Sequence, residues 1–333
     1  MGSSSSKVKG ICQDQRGKHF IVTGANTGIG YVTARELAKM GGKVTLACRN
    51  AERGQEAVDR LKKEAMQKPV GEGVDLLEGL EKVDVQLEIL DLGSLQSITS
   101  FAQKFKDAGT KVDVLINNAG IMAIPERRET ADGFELQIGV NHFGGHLLTR
   151  LMEPTIKEGG RVIFLSSIAH RQPPGQSKIT LDFDNVNYER PNTYNNWMAY
   201  GRSKLANILD AKEFAARLAS RSIYTYACQP GVVNTELSRN MTDDSFISRV
   251  MRWSGPLTKY VLSTPLTGAL TSLRCAVDPE LAAPEFTGKY WGKMAEETPS
   301  ELARDPETAR RLWDVTESML EAKLGKKVEE VLS

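Results

Sequence analysis

Apolar and polar positions alternate in blocks along most of the chain. "KHFIVTG" (18–24) is a short apolar run, rich in β-branched residues, that stops at a glycine, and it predicts a buried strand. Over 28–40, Ile29, Val32, Leu37 and Met40 recur at helical spacing until Gly41 and Gly42 end the run. "KVTLAC" (43–48) predicts a second strand, and 51–66 a charged helix. "VQLEIL" (85–90), "VDVLIN" (112–117) and "RVIFLS" (161–166) predict further strands, with helices near 94–107 and 133–155 between them. A helix near 197–218 precedes another strand, "IYTYACQP" (223–230). At 305–325 an amphipathic helix is expected, with Asp305 before Pro306 at its start and Leu312, Val315, Met319 and Leu320 as its apolar face.

Strands that alternate with helices in this way join through right-handed crossovers. The expected fold class is α/β: one doubly wound parallel sheet with helices on both faces. No composition shift divides it, so the organisation reads as a flexible leader (1–16), a single domain (17–325) and a C-terminal tail (326–333). Residues 67–82, "QKPVGEGVDLLEGLEK", break the rhythm: Pro69, Gly71 and Gly73 mark a loop, and "VDLLEGL" is a candidate short helix.

Composition narrows the function classes. The chain has 333 residues, 40% hydrophobic and 26% charged, enough for a sizeable core. A formal net charge of +1 offers no basic field for nucleic acid. Cys12, Cys48, Cys228 and Cys275 form no C-x-x-C and read as reduced thiols of an intracellular, cytoplasmic protein. His142 and His146 lie four apart on an expected helix, but no further ligands stand at zinc spacing, so no metal is expected. No apolar run approaches the ~18 residues of a membrane span. The N-terminus, "MGSSSSKVKG", lacks a secretory core; Gly2, Ser6, Lys7 and Lys9 fit the N-myristoylation pattern as well as they fit a plain polar leader. A single acyl chain would anchor the protein only reversibly, as a peripheral membrane protein.

Chemistry enters at "TGANTGIG" (23–30), between the first strand and the first helix. Gly24, Gly28 and Gly30 let the turn tighten, and the helix N-terminus presents free N–H groups to a pyrophosphate. An acidic residue at the end of the second strand would bind the ribose hydroxyls of NAD. Here Cys48 stands at that place and Arg49 follows, a guanidinium able to grip a 2′-phosphate, so the cofactor expected is NADP(H). "NNAG" (117–120), "SS" (166–167) and "PGVVNT" (230–235) then end the fourth, fifth and sixth strands, on the edge where open α/β sheets bind ligands. "YGRSK" places Tyr200 and Lys204 on one face of a helix, with Gly201 between them permitting close approach of a cofactor or a neighbour.

In this order, TGxxxGIG, NNAG, the strand-end serine, YxxxK and PGxVxT resemble the short-chain dehydrogenase/reductase family over roughly residues 17–325. "ACRN", "NHFGGHLLT", the long interval before "YGRSKLAN" and "LWDVTE" resemble its retinol dehydrogenase and retinal-reductase branch. The resemblance implies a Rossmann-type sheet and a hydride-transferring oxidoreductase. It implies Tyr200 as general acid or base, Lys204 lowering the pKa of Tyr200 and holding the nicotinamide ribose, Ser167 bonding the substrate oxygen, and Asn141 supporting a relay water. For the cofactor it implies Gly24, Asn26, Thr27, Gly28, Ile29, Gly30, Arg49, Asp91 beside the adenine, Asn118, Gly120, Tyr200, Lys204, Pro230, Gly231, Val233 and Thr235. Ser166 points away from Ser167 by strand alternation and reads as structural.

The stretch after PGVVNT is the family's usual substrate lid. Here Phe246, Ile247, Val250, Met251, Trp253, Leu257 and Tyr260 make it apolar, which suits a lipophilic carbonyl such as a retinoid, steroid or long-chain aldehyde, and equally suits packing over the core. The branch's membrane-bound members begin with an apolar anchor that these residues do not show. Homo-oligomers through the helices near 133–155 and 197–218 are a family expectation. An NADP(H)-binding sensor without turnover is the competing class, and protochlorophyllide reductase a further enzyme with the same Tyr/Lys pair.

Overall fold

The computed structural model describes residues 14–67, 73–173, 175–231, 233 and 264–332. Gly2, Thr235 and the apolar lid positions lie outside the described residues. Among the described residues, eight strands form one sheet in the order β3-β2-β1-β4-β5-β6-β7-β8. They are β1 (His19–Thr23), β2 (Lys43–Cys48), β3 (Val85–Ile89), β4 (Val112–Asn117), β5 (Ile156–Leu165), β6 (Tyr224–Gln229), β7 (Lys289–Gly292) and β8 (Ala295–Glu296). The first seven run parallel, and β8 returns antiparallel to β7. The order reverses between β1 and β4, so a crevice opens at the carboxyl ends there.

Helices α1 (Gly28–Lys39), α2 (Ala51–Ala65), α3 (Leu95–Asp107), α4 (Gly144–Met152), α5 (Asn196–Arg217), α6 (Pro265–Val277) and α7 (Pro306–Leu324) cover the sheet. Two apolar layers sandwich it. Ile21, Leu115, Val162 and Ala227 face Phe143, Leu148, Leu205, Phe214 and Leu312. Phe20, Val22, Ile163 and Tyr226 face Leu37, Ala269 and Leu273 on the other side. This alternation is why the strands read as near-continuous apolar runs: both faces are dry.

Several expectations need correction. The helix near 133–155 begins at Leu136 and is broken by a π-turn, Gly139–Phe143, before α4. β5 begins five residues earlier than the apolar pattern suggests, with a register shift opposite Val112/Val114. "VDLLEGL" forms no helix; its chain is held instead by Glu36, whose carboxylate accepts the Val74 N–H at 2.7 Å. The buried stripe of α7 is Ala309, Leu312, Trp313, Thr316 and Leu320, so the face is rotated from the expected one, with Val315 and Met319 at its margin. The structure also adds α6, β7 and the antiparallel β8, which the pattern did not predict. The tail segment carries a short turn, Val328–Glu330, with Val328 and Val331 buried.

Candidate active site

The carboxyl edge of β1, β2, β4 and β5 opens into a cleft of about 700 Å³. Its floor is the glycine turn. Gly24 and Gly28 take φ of +64° and +60°, a conformation that costs other residues. A Cβ on Gly30 would stand 2.3 Å from Asn118 Nδ2. Asn118 Nδ2 donates to the Thr23 carbonyl at 2.8 Å, and the Ala119 N–H to Thr23 Oγ1 at 2.9 Å. The NNAG turn is thereby locked under the glycine turn.

The start of α1 differs from the other long helices. Asn50, Ser94, Asn195 and Asp305 cap α2, α3, α5 and α7 with side-chain acceptors. Thr27, at the start of α1, makes no such bond, and Thr27, Gly28, Ile29 and Gly30 line the cleft. An uncapped N-terminus facing a cleft is a seat for an anion. Arg49 and Arg53 both line the cleft beside it. Cys48 is buried, and burial pushes its thiol up to about 11, so no charge competes there. Asp91 lines the far wall, its carboxylate accepting the Gly93 N–H at 2.9 Å. These residues fit the phosphate chain of a dinucleotide.

At the other end lie Tyr200 and Lys204, both on α5 and both buried. Lys204 Nζ donates to the Leu165 carbonyl at 3.0 Å and lies 5.7 Å from the centre of the Tyr200 ring. The Asn207 side chain donates to the same carbonyl at 2.8 Å. Burial holds Lys204 down at about 8. Burial also pushes Tyr200 up to about 12, against a hydrogen bond from Ser167 that favours the phenolate. In the chain alone desolvation outweighs that hydrogen bond.

Ser167 begins a single 3-10 turn, Ile168–His170, and its Oγ accepts the Ala169 N–H at 3.2 Å. Ser166 points the other way and donates to the Lys204 carbonyl at 2.7 Å, bracing α5. Gly201 answers its own question: a Cβ there would stand 2.8 Å from the Ala169 carbonyl, so α5 approaches this turn, a neighbour rather than a cofactor. Asn141 sits in the π-turn, buried. Its Oδ1 accepts the Ile121 N–H at 2.8 Å, and its Nδ2 donates to the Ile121 carbonyl and to Ser203 Oγ, both at 2.9 Å. The side chain thus binds protein groups and fixes the loop after NNAG.

Of the expected cofactor residues, Gly24 through Gly30, Arg49, Asp91, Asn118, Gly120, Tyr200, Lys204 and Pro230 line the cleft. Ser167 adjoins Tyr200, Asn141 lies behind the wall, Gly231 follows Pro230, and Val233 meets Gly268 of α6. Two contributors escaped the sequence reading. Arg53 repeats Arg49 one helical turn on, a spacing that could have marked it. Gln137 is buried between the loop and α5: its Oε1 accepts the Ala123 N–H at 2.7 Å, and its Nε2 donates to Tyr194 Oη at 3.1 Å and the Asn196 carbonyl at 2.9 Å. Met122, Ala123, Ala169 and Trp197 form an apolar cluster around Tyr200, with Trp197 edge-on at 6.4 Å. His142 and His146 face Asp210.

Comparison with known proteins agrees with this geometry. A family model described as short chain dehydrogenase matches residues 18–178. Human retinol dehydrogenase 11 is 40% identical over 306 residues, 91% of this chain and 86% of that protein. Human retinol dehydrogenase 13 is 40% identical over 301 residues, 89% of this chain and 82% of that protein. Among solved structures, an uncharacterised protein from Mycobacterium Paratuberculosis superposes with a TM-score of 0.68 at 28% identity, covering 95% of this chain and 97% of that one. The landomycin C-6 ketoreductase LanV with bound NADP and rabelomycin gives a TM-score of 0.58 at 20% identity, over 84% of this chain and 96% of that one, a likeness of fold.

Proposed function

The chain belongs to the short-chain dehydrogenase/reductase family of oxidoreductases, in its retinol dehydrogenase branch, and we propose that it interconverts a lipophilic carbonyl and its alcohol with NADP(H). The observation that carries the reading is the pair Tyr200 and Lys204, one turn apart on α5, both buried and both lining the cleft that the glycine turn floors, with Ser167 beside Tyr200. The uncapped start of α1 and the pair Arg49 and Arg53 would hold the phosphates, Asp91 the adenosine end, and Asn118, Gly120 and Lys204 the nicotinamide end. Bound there, the cofactor gives or takes the hydride.

The protein's part is orientation and proton handling. With its pKa near 12, Tyr200 is protonated at neutral pH and is the donor to the carbonyl oxygen in reduction. Ser167 Oγ accepts the Ala169 N–H, and its own hydrogen, directed at Tyr200 in the chain alone, would turn to the same oxygen when a carbonyl binds. In oxidation Tyr200 must first lose its proton, and the Lys204 ammonium and a cationic nicotinamide both favour that loss. The apolar cluster of Met122, Ala123 and Trp197 beside Tyr200 supports a lipophilic substrate and excludes water from the proton transfer.

The test is turnover of retinal, steroid ketones and alkanals with NADPH. Tyr200→Phe should lose activity by about 10² or more while still binding NADPH. Undiminished turnover in that variant would remove Tyr200 from the mechanism.

A further inference from the structure

His170 closes the 3-10 turn that Ser167 opens, and it is fully buried. Its two ring nitrogens have opposite partners. Nδ1 lies 2.7 Å from the Ser167 carbonyl, which can only accept, so Nδ1 carries the hydrogen. Nε2 accepts the Ser300 N–H at 3.1 Å, so Nε2 is bare. This arrangement admits one tautomer of a neutral ring and no cation. The next residue repeats the link: Arg171 donates to the Thr298 carbonyl. The Tyr290 ring, on β7, stands edge-on to the imidazole at 5.0 Å. The serine turn is thus riveted to the chain that follows the β7–β8 hairpin, a segment about 130 residues away in sequence.

We propose that His170 is a positioning residue for the reaction: by fixing the Ser167 carbonyl it sets the turn that aims Ser167 Oγ at the substrate oxygen. The inference rests on the role proposed for Ser167. Within the turn, the Ala169 N–H occupies one lone pair of Ser167 Oγ, and that N–H points correctly only while the Ser167 peptide is held. Gly201 lets α5 pack against the Ala169 carbonyl, so a shift of the turn would also be felt at Tyr200, one residue away. Among the described residues, the charged and titratable groups beside His170 are Arg171, next in the chain, and Tyr290 on β7. Burial, and secondarily Arg171, hold its pKa down at about 4, against the bond to Ser167, so the neutral ring persists across the working pH range.

Two variants and one spectroscopic measurement test this. Ser300 has φ of −61°, already suited to proline, and its Oγ has no hydrogen-bond partner. Ser300→Pro therefore deletes the one N–H given to Nε2 with little strain. It should lower kcat with NADPH and retinal about three- to tenfold, leave NADPH affinity unchanged, and raise the pKa of His170. Unchanged kcat together with unchanged His170 titration would overturn the proposal. His170→Leu should lower kcat by at least about tenfold with NADPH affinity retained, and His170→Gln, which keeps a donor and an acceptor, should recover most of it. A leucine variant with full kcat would also overturn it.

Nitrogen-15 NMR of the histidine-labelled full chain reads the tautomer without turnover. Nδ1–H with bare Nε2 at pH 7 is expected for His170; the opposite tautomer or a cation would end the idea. If the wild type turns over nothing, the reading of function fails, while the tautomer still decides whether His170 holds the turn.

Discussion

At the residue scale the site is ruled by desolvation. Lys204 and Tyr200 are both fully enclosed, and burial moves each toward its neutral form, the amine down to about 8 and the phenol up to about 12. An amine with a lowered pKa loses its charge as pH rises. The free enzyme's kcat/KM for NADPH should therefore fall as pH climbs through about 8, and Lys204→Arg, which keeps its charge, should lack that limb. A pH profile of both proteins decides this; an identical alkaline limb in the arginine variant would reassign it. Arg49 carries a second prediction. Arg49→Ala should weaken NADPH by at least about tenfold more than NADH, because a charge-assisted forked contact is lost only with the 2′-phosphate. Equal losses in the two titrations would refute that contact, and Arg53→Ala then becomes the discriminating variant, since both arginines line the cleft.

At the element scale, what the sequence made legible was local. The glycine turn, the Tyr200/Lys204 spacing and the strand-end motifs each lie within a few residues, and β2 and β4 fall where the apolar runs place them. What stayed hidden depends on distant partners. The β7–β8 hairpin turns through Lys293 and Met294 at φ of +50° and +64°, positions where asparagine or glycine is the usual signal. The π-turn has no marker because its purpose is tertiary: it brings Asn141 to Ile121 and Ser203, 20 and 62 residues away. Gln137 and His170 escaped for the same reason: Gln137 binds Ala123, Tyr194 and Asn196, and His170 reaches Ser300, 130 residues away. The glycine turn packs closely against NNAG. Gly30→Ala would drive a methyl into Asn118 Nδ2 and the Gly24 carbonyl, at 2.3 and 2.8 Å. It should cost about 1–3 kcal/mol in urea denaturation of the cofactor-free protein, and NADPH titration should show weaker binding. Unchanged stability and affinity would mean that the two turns separate easily.

At the scale of the whole molecule, one buried charge cluster joins three helices far apart in sequence. His146 on α4 has Nδ1 3.0 Å from Asp210 Oδ1 on α5 and Nε2 2.8 Å from Glu317 Oε1 on α7. Two carboxylates can be met only by a ring that donates from both nitrogens, so His146 is an imidazolium. Burial alone would lower its pKa; Asp210 and Glu317 outweigh burial and raise it. His142 Nδ1 lies 3.0 Å from the other Asp210 oxygen, an ion-pair distance without hydrogen-bond angles. Trp313 lies edge-on to His146 at 4.6 Å, and Arg217 stacks on Trp313 at 4.1 Å, closing the cluster toward solvent. A raised folded pKa contributes stability that is complete below the unfolded value of 6.5 and is lost as pH rises through the folded value. The Asp210 carboxyl is held far below its usual range: burial would raise it, but His142 and His146 prevail. Its contribution is complete above 3.8 and is lost in acid. The stability difference between the wild type and His146→Phe should therefore be largest between these limits and shrink on the alkaline side. Asp210→Asn should cost about 3–5 kcal/mol at pH 6, because it breaks a buried ion pair and leaves His146 with Glu317 alone. Because the cluster ties α7 to the helix that carries Tyr200, urea unfolding followed at Trp313 and by NADPH binding should lose both signals together in the wild type. Separate transitions would show that α7 docks independently of α5.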